Sequence, residues 1–230
     1  MQIKILSWNI WFYGDFDRVA SFLDKEDADI IALQEVEDGN PKFDIIKHLK
    51  NAGYKYTYAS TMHSKKKGKP FTFGPAIFSK YEIAGSRAYP LSQKANGSAV
   101  RTDIKVGERV LHVFSTHLLH THQKESAEQQ GQAKKLIGLA PKERTIVMGD
   151  FNALPDSKVI SSIKEYYNDT DANSNPTWSM YRLGCPRCLV GNVKHKLDYI
   201  FTSKDIKTDS FKVGESKGSD HLPISVNIEI

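Results

Sequence analysis

Two β-sheets packed together under outer helices is the architecture that this sequence predicts, and three observations carry it. Buried strand-like runs alternate with segments of helical period, several strands follow one another in close succession, and no Gly/Ser- or Pro-rich linker divides the 230 residues. Residues 3–10, IKILSWNI, are apolar toward both sides and read as a central strand. Val19, Phe22 and Leu23 recur at helical spacing and predict a helix over 16–25. ADIIALQEV (28–36) is a second buried strand. In NPKFDIIKHLKNAGY, Asn40 is the expected N-cap and Pro41 the first helical residue; Phe43, Ile46 and Leu49 share a face, and Gly53 follows the end. GPAIFSK (74–80), SAVRTDIKV (98–106) and RVLHVFSTHL (109–118) predict an antiparallel group. Residues 125–140 form a helix stopped by Pro141. After the strand that opens TIVMGDFNAL (145–154), Asp156 is the expected cap of a helix carrying Val159, Ile160 and Ile163. KLDYIF (196–201) and the alternating HLPISVNIEI (221–230) supply the last strands.

Composition narrows the class. At 40% hydrophobic and 26% charged, the chain has the make-up of a soluble globular protein, without repeats or low-complexity stretches. It opens directly on a strand-like run, MQIKILSWNI, so the expectation is a cytoplasmic protein without secretory signal or membrane span. Two cysteines cannot make a disulfide framework. The net charge of +5 favours a polyanionic partner, although the basic residues are concentrated only in SKKKGK (64–69), which reads as a solvated loop tip.

The polar residues collect at strand margins. Asn9 and Glu35 end two early strands, His117 ends RVLHVFSTH, and Asp150 with Asn152 follow TIVMG. Asp198 interrupts KLDYIF, and Asp220 and His221 open the last strand. Turn formation explains Asp, Asn and Gly singly. It does not explain Glu35 and His117, which are poor turn formers, whereas a shared cleft at the sheet ends does.

LSWNI, LQEV, STHL, GDFNALPD, LDYIF and SDHLPI stand here in an order that resembles the endonuclease/exonuclease/phosphatase superfamily of metal-dependent phosphoester hydrolases, over residues 6–224. The resemblance implies one domain spanning 1–230, a four-layered α/β/β/α sandwich of two mixed sheets, with a cleft at one end. It implies Glu35 as principal ligand of a divalent cation, Mg²⁺ or Mn²⁺, with Asn9 and Asp220 beside it. Asp150 and Asn152 would orient the attacking water and hold a non-bridging oxygen. His117 would contact the phosphate, and His221 would act opposite, oriented by Asp198. Arg101 of AVRTDI matches a basic position of some branches.

The chemistry asks for these residue types. Phosphodiester hydrolysis needs neutralised phosphoryl charge, an in-line water and help for the departing alkoxide. Glu35 and Asp220 offer the hard oxygens that Mg²⁺ or Mn²⁺ prefers. An amide donates to an anionic substrate where a further carboxylate would repel it.

FSTHLLH stands where apurinic-site endonucleases carry a Tyr-bearing stretch with a PNG-like turn, which argues against abasic-site activity. STHL with PTWS (176–179) is more similar to the branches of tyrosyl-DNA phosphodiesterases, deadenylases, sphingomyelinases and inositol-phosphate phosphatases. The expectation is a monomeric nuclease or DNA-end-processing enzyme. The alternatives are a hydrolase of small phosphorylated headgroups, of inositol phosphate or sphingomyelin type, and a non-catalytic nucleic-acid binder, which would have lost catalytic residues. Trp178 reads as a partly buried loop aromatic, and His112, His120 and His122 as structural. Cys185 and Cys188 of CPRC make half of a zinc site, with only His195 near enough to be a third ligand; a redox-labile pair or a tight loop is the simpler reading.

Overall fold

Ile3 and Ile5 turn one way along the first strand and Leu6, Trp8 and Ile10 the other, and these two sets belong to different cores. The computed structural model describes residues 1–66, 68–178 and 193–230. Its elements in chain order begin with β1 (Gln2–Asn9), α1 (Phe16–Glu26), β2 (Ile30–Val36), α2 (Ile45–Asn51), β3 (Lys55–Tyr58), β4 (Met62–Lys66) and β5 (Lys69–Ser79). There follow β6 (Glu82–Pro90), β7 (Ser98–Val106), β8 (Arg109–His117), α3 (Ala127–Leu139), β9 (Thr145–Asp150) and α4 (Lys158–Lys164). The chain closes with β10 (Tyr167–Asp169), β11 (Asp198–Ser203), β12 (Lys207–Val213) and β13 (Ile224–Glu229).

One sheet runs β12-β13-β1-β2-β5-β3, with β4 also on β5; the other runs β10-β11-β9-β8-β7-β6. Each is antiparallel except for one parallel pair at its centre, β1 with β2 and β8 with β9. Between the sheets lies an aliphatic core that includes Ile3, Ile5, Ile30, Ile77, Val100, Ile104, Val113, Ile146, Met148 and Ile200. Outside the first sheet, Leu6, Trp8, Ile31 and Leu33 pack on Val19 and Leu23 of α1 and Ile46 and Leu49 of α2. Outside the second, Phe114, Val147, Tyr199 and Phe201 pack on Ala133 and Leu136 of α3 and Val159, Ile160 and Ile163 of α4. The result is a four-layered α/β/β/α sandwich. Among the described residues no helix is long and apolar enough to cross a membrane.

Two helix starts differ from the sequence pattern. Asn40 holds a turn, its Oδ1 accepting from Lys42 N, and Asp44 is the residue that caps α2 by accepting from Lys47 N. Likewise Ser157, one residue past Asp156, caps α4 by accepting from Ile160 N. In both, a second small polar residue lies nearer the apolar face that the helix buries. The basic run 64–69 forms the end of an antiparallel hairpin: Ser64 to Lys66 belong to β4 and Lys69 to β5. Lys67 lies outside the described residues.

Candidate active site

The inward parity of the strands places the site. On β1, Ser7 and Asn9 continue the face of Ile3 and Ile5; on β8, Ser115 and His117 continue that of Leu111 and Val113; on β9, Asp150 continues that of Ile146 and Met148. The inter-sheet core therefore changes from apolar to polar at one end. Because β11 is antiparallel to β9, Asp198 pairs with Asp150, and because β13 is antiparallel to β1, the SDH segment arrives beside Asn9. Behind the cleft, Gln34 Nε2 donates across the gap to Ser115 Oγ at 3.1 Å and toward Ser7 Oγ at 3.4 Å.

Glu35 breaks parity. Alternation along β2 would send it outward with Ile31 and Leu33, but the register with β5 slips between Leu33 and Val36 and Glu35 has φ 59°. That bulge swings the carboxylate to the cleft, where Oε2 accepts from Phe12 N and Oε1 from Asn9 Nδ2, both at 3.2 Å. Asn152, with φ 49°, is also left-handed, and Gly149 at φ 141° has its α-carbon so near Thr116 that a Cβ would sit on that residue's carbonyl oxygen.

The resulting cleft has a volume of about 460 Å³. Its polar wall holds Glu35, Asp220, Asp150, Asn152, His117 and His221, and its apolar wall Trp11, Phe12, Met62, Phe73 and Trp178. Asn9 donates from Nδ2 to Asp150 Oδ2 at 3.0 Å as well as to Glu35, while its Oδ1 accepts from Trp11 N, so it ties the two carboxylates as a donor. His117 Nε2 and His221 Nε2 stand 3.4 and 3.7 Å from Asp150 Oδ2. His221 Nδ1 donates to Asp198 Oδ2 at 2.8 Å, and Thr177 Oγ1 donates to the same oxygen at 2.6 Å.

Burial and neighbours set the charges. Burial first, then Asp220, pushes Glu35 up to about 7. Burial likewise lifts Asp150 to about 7, with His221 pulling it down and Asp198 pushing it up. His221 is depressed by burial but lifted more by Asp198, Asp150 and Asp220 together, to about 10, so its imidazole is cationic at neutral pH. Burial, with His221 and His120 nearby, holds His117 at about 3, hence neutral.

A family model described as the endonuclease/exonuclease/phosphatase family matches residues 6–221. The chain belongs to the endonuclease/exonuclease/phosphatase family. That family consists of phosphoester hydrolases. Among curated proteins compared by sequence, none matches. Solved structures share the fold of this family member. The human Nocturnin catalytic domain with bound sulfate is 22% identical with TM-score 0.75, over 99% of this chain and 93% of that one. D. rerio TDP2 complexed with single strand DNA product is 18% identical with TM-score 0.71, over 100% and 99%. The Bacteroides thetaiotaomicron mannosyl-6-phosphatase is 18% identical with TM-score 0.69, over 99% and 100%.

Within this family member, a metal site is tested by its donors. Glu35 and Asp220 share a cleft wall, Asp220 pushing the Glu35 carboxyl up, and among the described residues lining the cleft none is Lys or Arg. A hard cation fits that pair. Asp150, Asp198 and His221 also bring ligand-type atoms within 4.8 Å of one another, but a proton between His221 Nδ1 and Asp198 Oδ2 already occupies that geometry.

Arg101 needs correction. It has the opposite parity to Val100 and Ile104, so it lies on the outer face of β7, where Nε donates to Asp103 Oδ1 at 2.9 Å and the guanidinium meets His112. It does not line the cleft. Conversely, His120, His122 and Trp178 do, although the sequence reading made them structural. Trp178 is buried and donates from Nε1 to Asp220 Oδ2 at 3.2 Å, and Thr177 beside it holds Asp198. PTWS therefore carried a signal, a polar pair able to hold two acidic side chains. Cys185 and Cys188 lie outside the described residues.

Proposed function

We propose that this protein is a Mg²⁺- or Mn²⁺-dependent phosphodiesterase acting on nucleic acid, with DNA favoured, as a one-domain cytoplasmic monomer. The observation that carries the reading is Asp150: a buried carboxyl held at about 7, tied by Asn9 and Asn152 and flanked by one neutral and one cationic imidazole. A carboxylate at that value is matched to taking a proton from water near neutral pH. The cationic His221, steadied by Asp198, donates from Nε2 toward phosphoryl oxygen as negative charge grows there. His117 presents a neutral ring edge to the same oxygens and adds no charge to compete with His221. Glu35 and Asp220 would hold the divalent cation, which when bound neutralises phosphoryl charge and stabilises the departing alkoxide.

Nucleic acid is favoured by the apolar wall, where Trp11, Phe12 and Phe73 line the cleft with aromatic side chains of the kind that binds nucleobases. The net charge of +5 and the basic β4–β5 hairpin, whose Met62 also lines the cleft, point the same way. The fold shared with a DNA-bound structure adds support. The test is a substrate panel in Mg²⁺ and Mn²⁺: single- and double-stranded DNA, 5′-tyrosyl DNA, abasic DNA, RNA, sphingomyelin, inositol phosphates and a sugar phosphate. Turnover of a nucleic-acid member, lost in chelator, is expected. Turnover confined to headgroups or sugar phosphates would replace this reading with the small-substrate one, and DNA binding without turnover would make the protein a binder.

A further inference from the structure

His120 follows β8 by three residues and stands half-buried in the cleft wall. Its Nδ1 is 2.7 Å from Asn152 Oδ1 and its Nε2 is 3.1 Å from His122 Nδ1. The orientation of the Asn152 amide follows from its other contacts. Nδ2 lies 3.0 Å from the Leu118 carbonyl and 3.3 Å from Asp150 Oδ2, and both are acceptors. Oδ1 is thus the atom turned to His120, and it requires a donor. His120 must carry its proton on Nδ1, which leaves Nε2 to accept from His122.

This ordering gives a directed chain from His122 through His120 and Asn152 to Asp150. Asn152 is tied to Asp150 twice, because its backbone N–H also donates to Oδ1 at 2.8 Å. Its left-handed backbone, φ 49°, persists only where surrounding contacts hold it. The Trp178 ring stands edge-on to His120, with centroids 5.9 Å apart, and restricts rotation of the imidazole. Burial pulls His120 below the usual histidine range, in keeping with a neutral ring whose two nitrogens are one donor and one acceptor.

We propose that His120 is a positioning residue for phosphoester hydrolysis: by donating from Nδ1 to Asn152 Oδ1 it fixes the amide that aims Asp150 at the attacking water. The proposal rests on the reading of Asp150 as the water-activating group. It assigns His120 no contact with the phosphoryl group, so its loss acts on turnover and leaves substrate affinity alone.

Turnover of bis(4-nitrophenyl) phosphate in Mg²⁺ tests it, with folding followed by circular dichroism. For His120→Leu, kcat should fall about 10- to 100-fold with KM within about 3-fold, the scale of a small misplacement of a catalytic group. His120→Asn should recover most of that, because its Nδ2 falls near the place of the imidazole Nδ1, whereas His120→Gln, which imitates Nε2, should not. Folded His120→Leu with wild-type kcat, or His120→Asn as slow as His120→Leu, overturns the proposal. Long-range ¹H–¹⁵N correlation on the metal-free wild-type protein at pH 7.5 reads the tautomer without turnover. A proton on Nδ1 of His120 supports the chain of donors, and one on Nε2 overturns it even if every variant misfolds. A wild-type protein that hydrolyses no phosphoester would overturn the proposed function, while the tautomer would still decide whether His120 orients Asn152.

Discussion

Asp198→Asn removes a fully buried charge 2.8 Å from His221 Nδ1 with almost no change of shape. An amide oxygen in the place of Oδ2 still accepts from Thr177 and His221, and the amide nitrogen takes the place of Oδ1, which has no hydrogen-bond partner among the described residues. The charge is therefore the main loss. Burial pulls His221 down, and Asp198 is the first of three carboxylates that lift it to about 10. One opposite charge at such range moves a pKa by about 1–3 units, so the protonated imidazole should lose about 1.5–4 kcal/mol. The native value lies above the 6.5 of the unfolded chain, so the stability that it contributes is complete below about pH 6.5 and is lost as pH rises through about 10. Asp198→Asn should accordingly cost most near pH 6, and by about pH 10.5 only the cost of two buried amide hydrogens should remain. Titration of the His221 Hε1–Cε1 correlation in metal-free wild type and variant, with urea unfolding at both pH values, measures each part. Ordinary titration of His221 in the wild type, or a value that does not move in the variant, would refute the reasoning.

Glu35→Gln should abolish the rise in Tm that Mg²⁺ gives the wild type. That rise should itself be larger at pH 8 than at pH 6, since a carboxyl held at about 7 must ionise to bind a cation; an equal rise in the variant would remove Glu35 from the site. Gly149→Ala should cost at least about 2 kcal/mol in urea unfolding, through positive φ and the Thr116 carbonyl, and a variant as stable as wild type would show that the strands can part there. Arg101→Ala should keep activity within about 2-fold and cost up to about 1 kcal/mol, the usual worth of a partly exposed pair. A tenfold loss of activity would return Arg101 to the cleft.

The place of polar residues at the margins of strand-like runs revealed that Asn9, His117, Asp150 and Asp198 could converge. It could not reveal Glu35's aim, because a bulge is a matter of register with β5, and nothing in LQEV marks the extra residue. Arg101 illustrates the reverse error. A motif match placed it by type, while the parity of Val100 and Ile104, visible in the same stretch, would have turned it outward. β6 and β12 escaped notice because they are edge strands, mostly exposed, with little apolar pattern to read. His120 looked like a lone loop histidine, since its partner lies 32 residues on in sequence.

The Gln34 amide, reaching from β2 to Ser115 on β8, has a bearing on how this cleft is calibrated. Glu35 rides on one sheet and Asp150 on the other, so the span between the wall proposed to hold the cation and the carboxylate proposed to activate water is a dimension of the sandwich itself, gauged by the side chains stacked beneath. Trimming Ile5 or Met148, neither of which approaches a substrate, would let the two sheets settle closer or slide. Gln34, hydrogen-bonded to Ser7 on one sheet and Ser115 on the other, spans that gap. Catalytic alignment in such a molecule is a property of the thickness of its interior, and gentle warming that loosens the interior should erode turnover before any strand unravels.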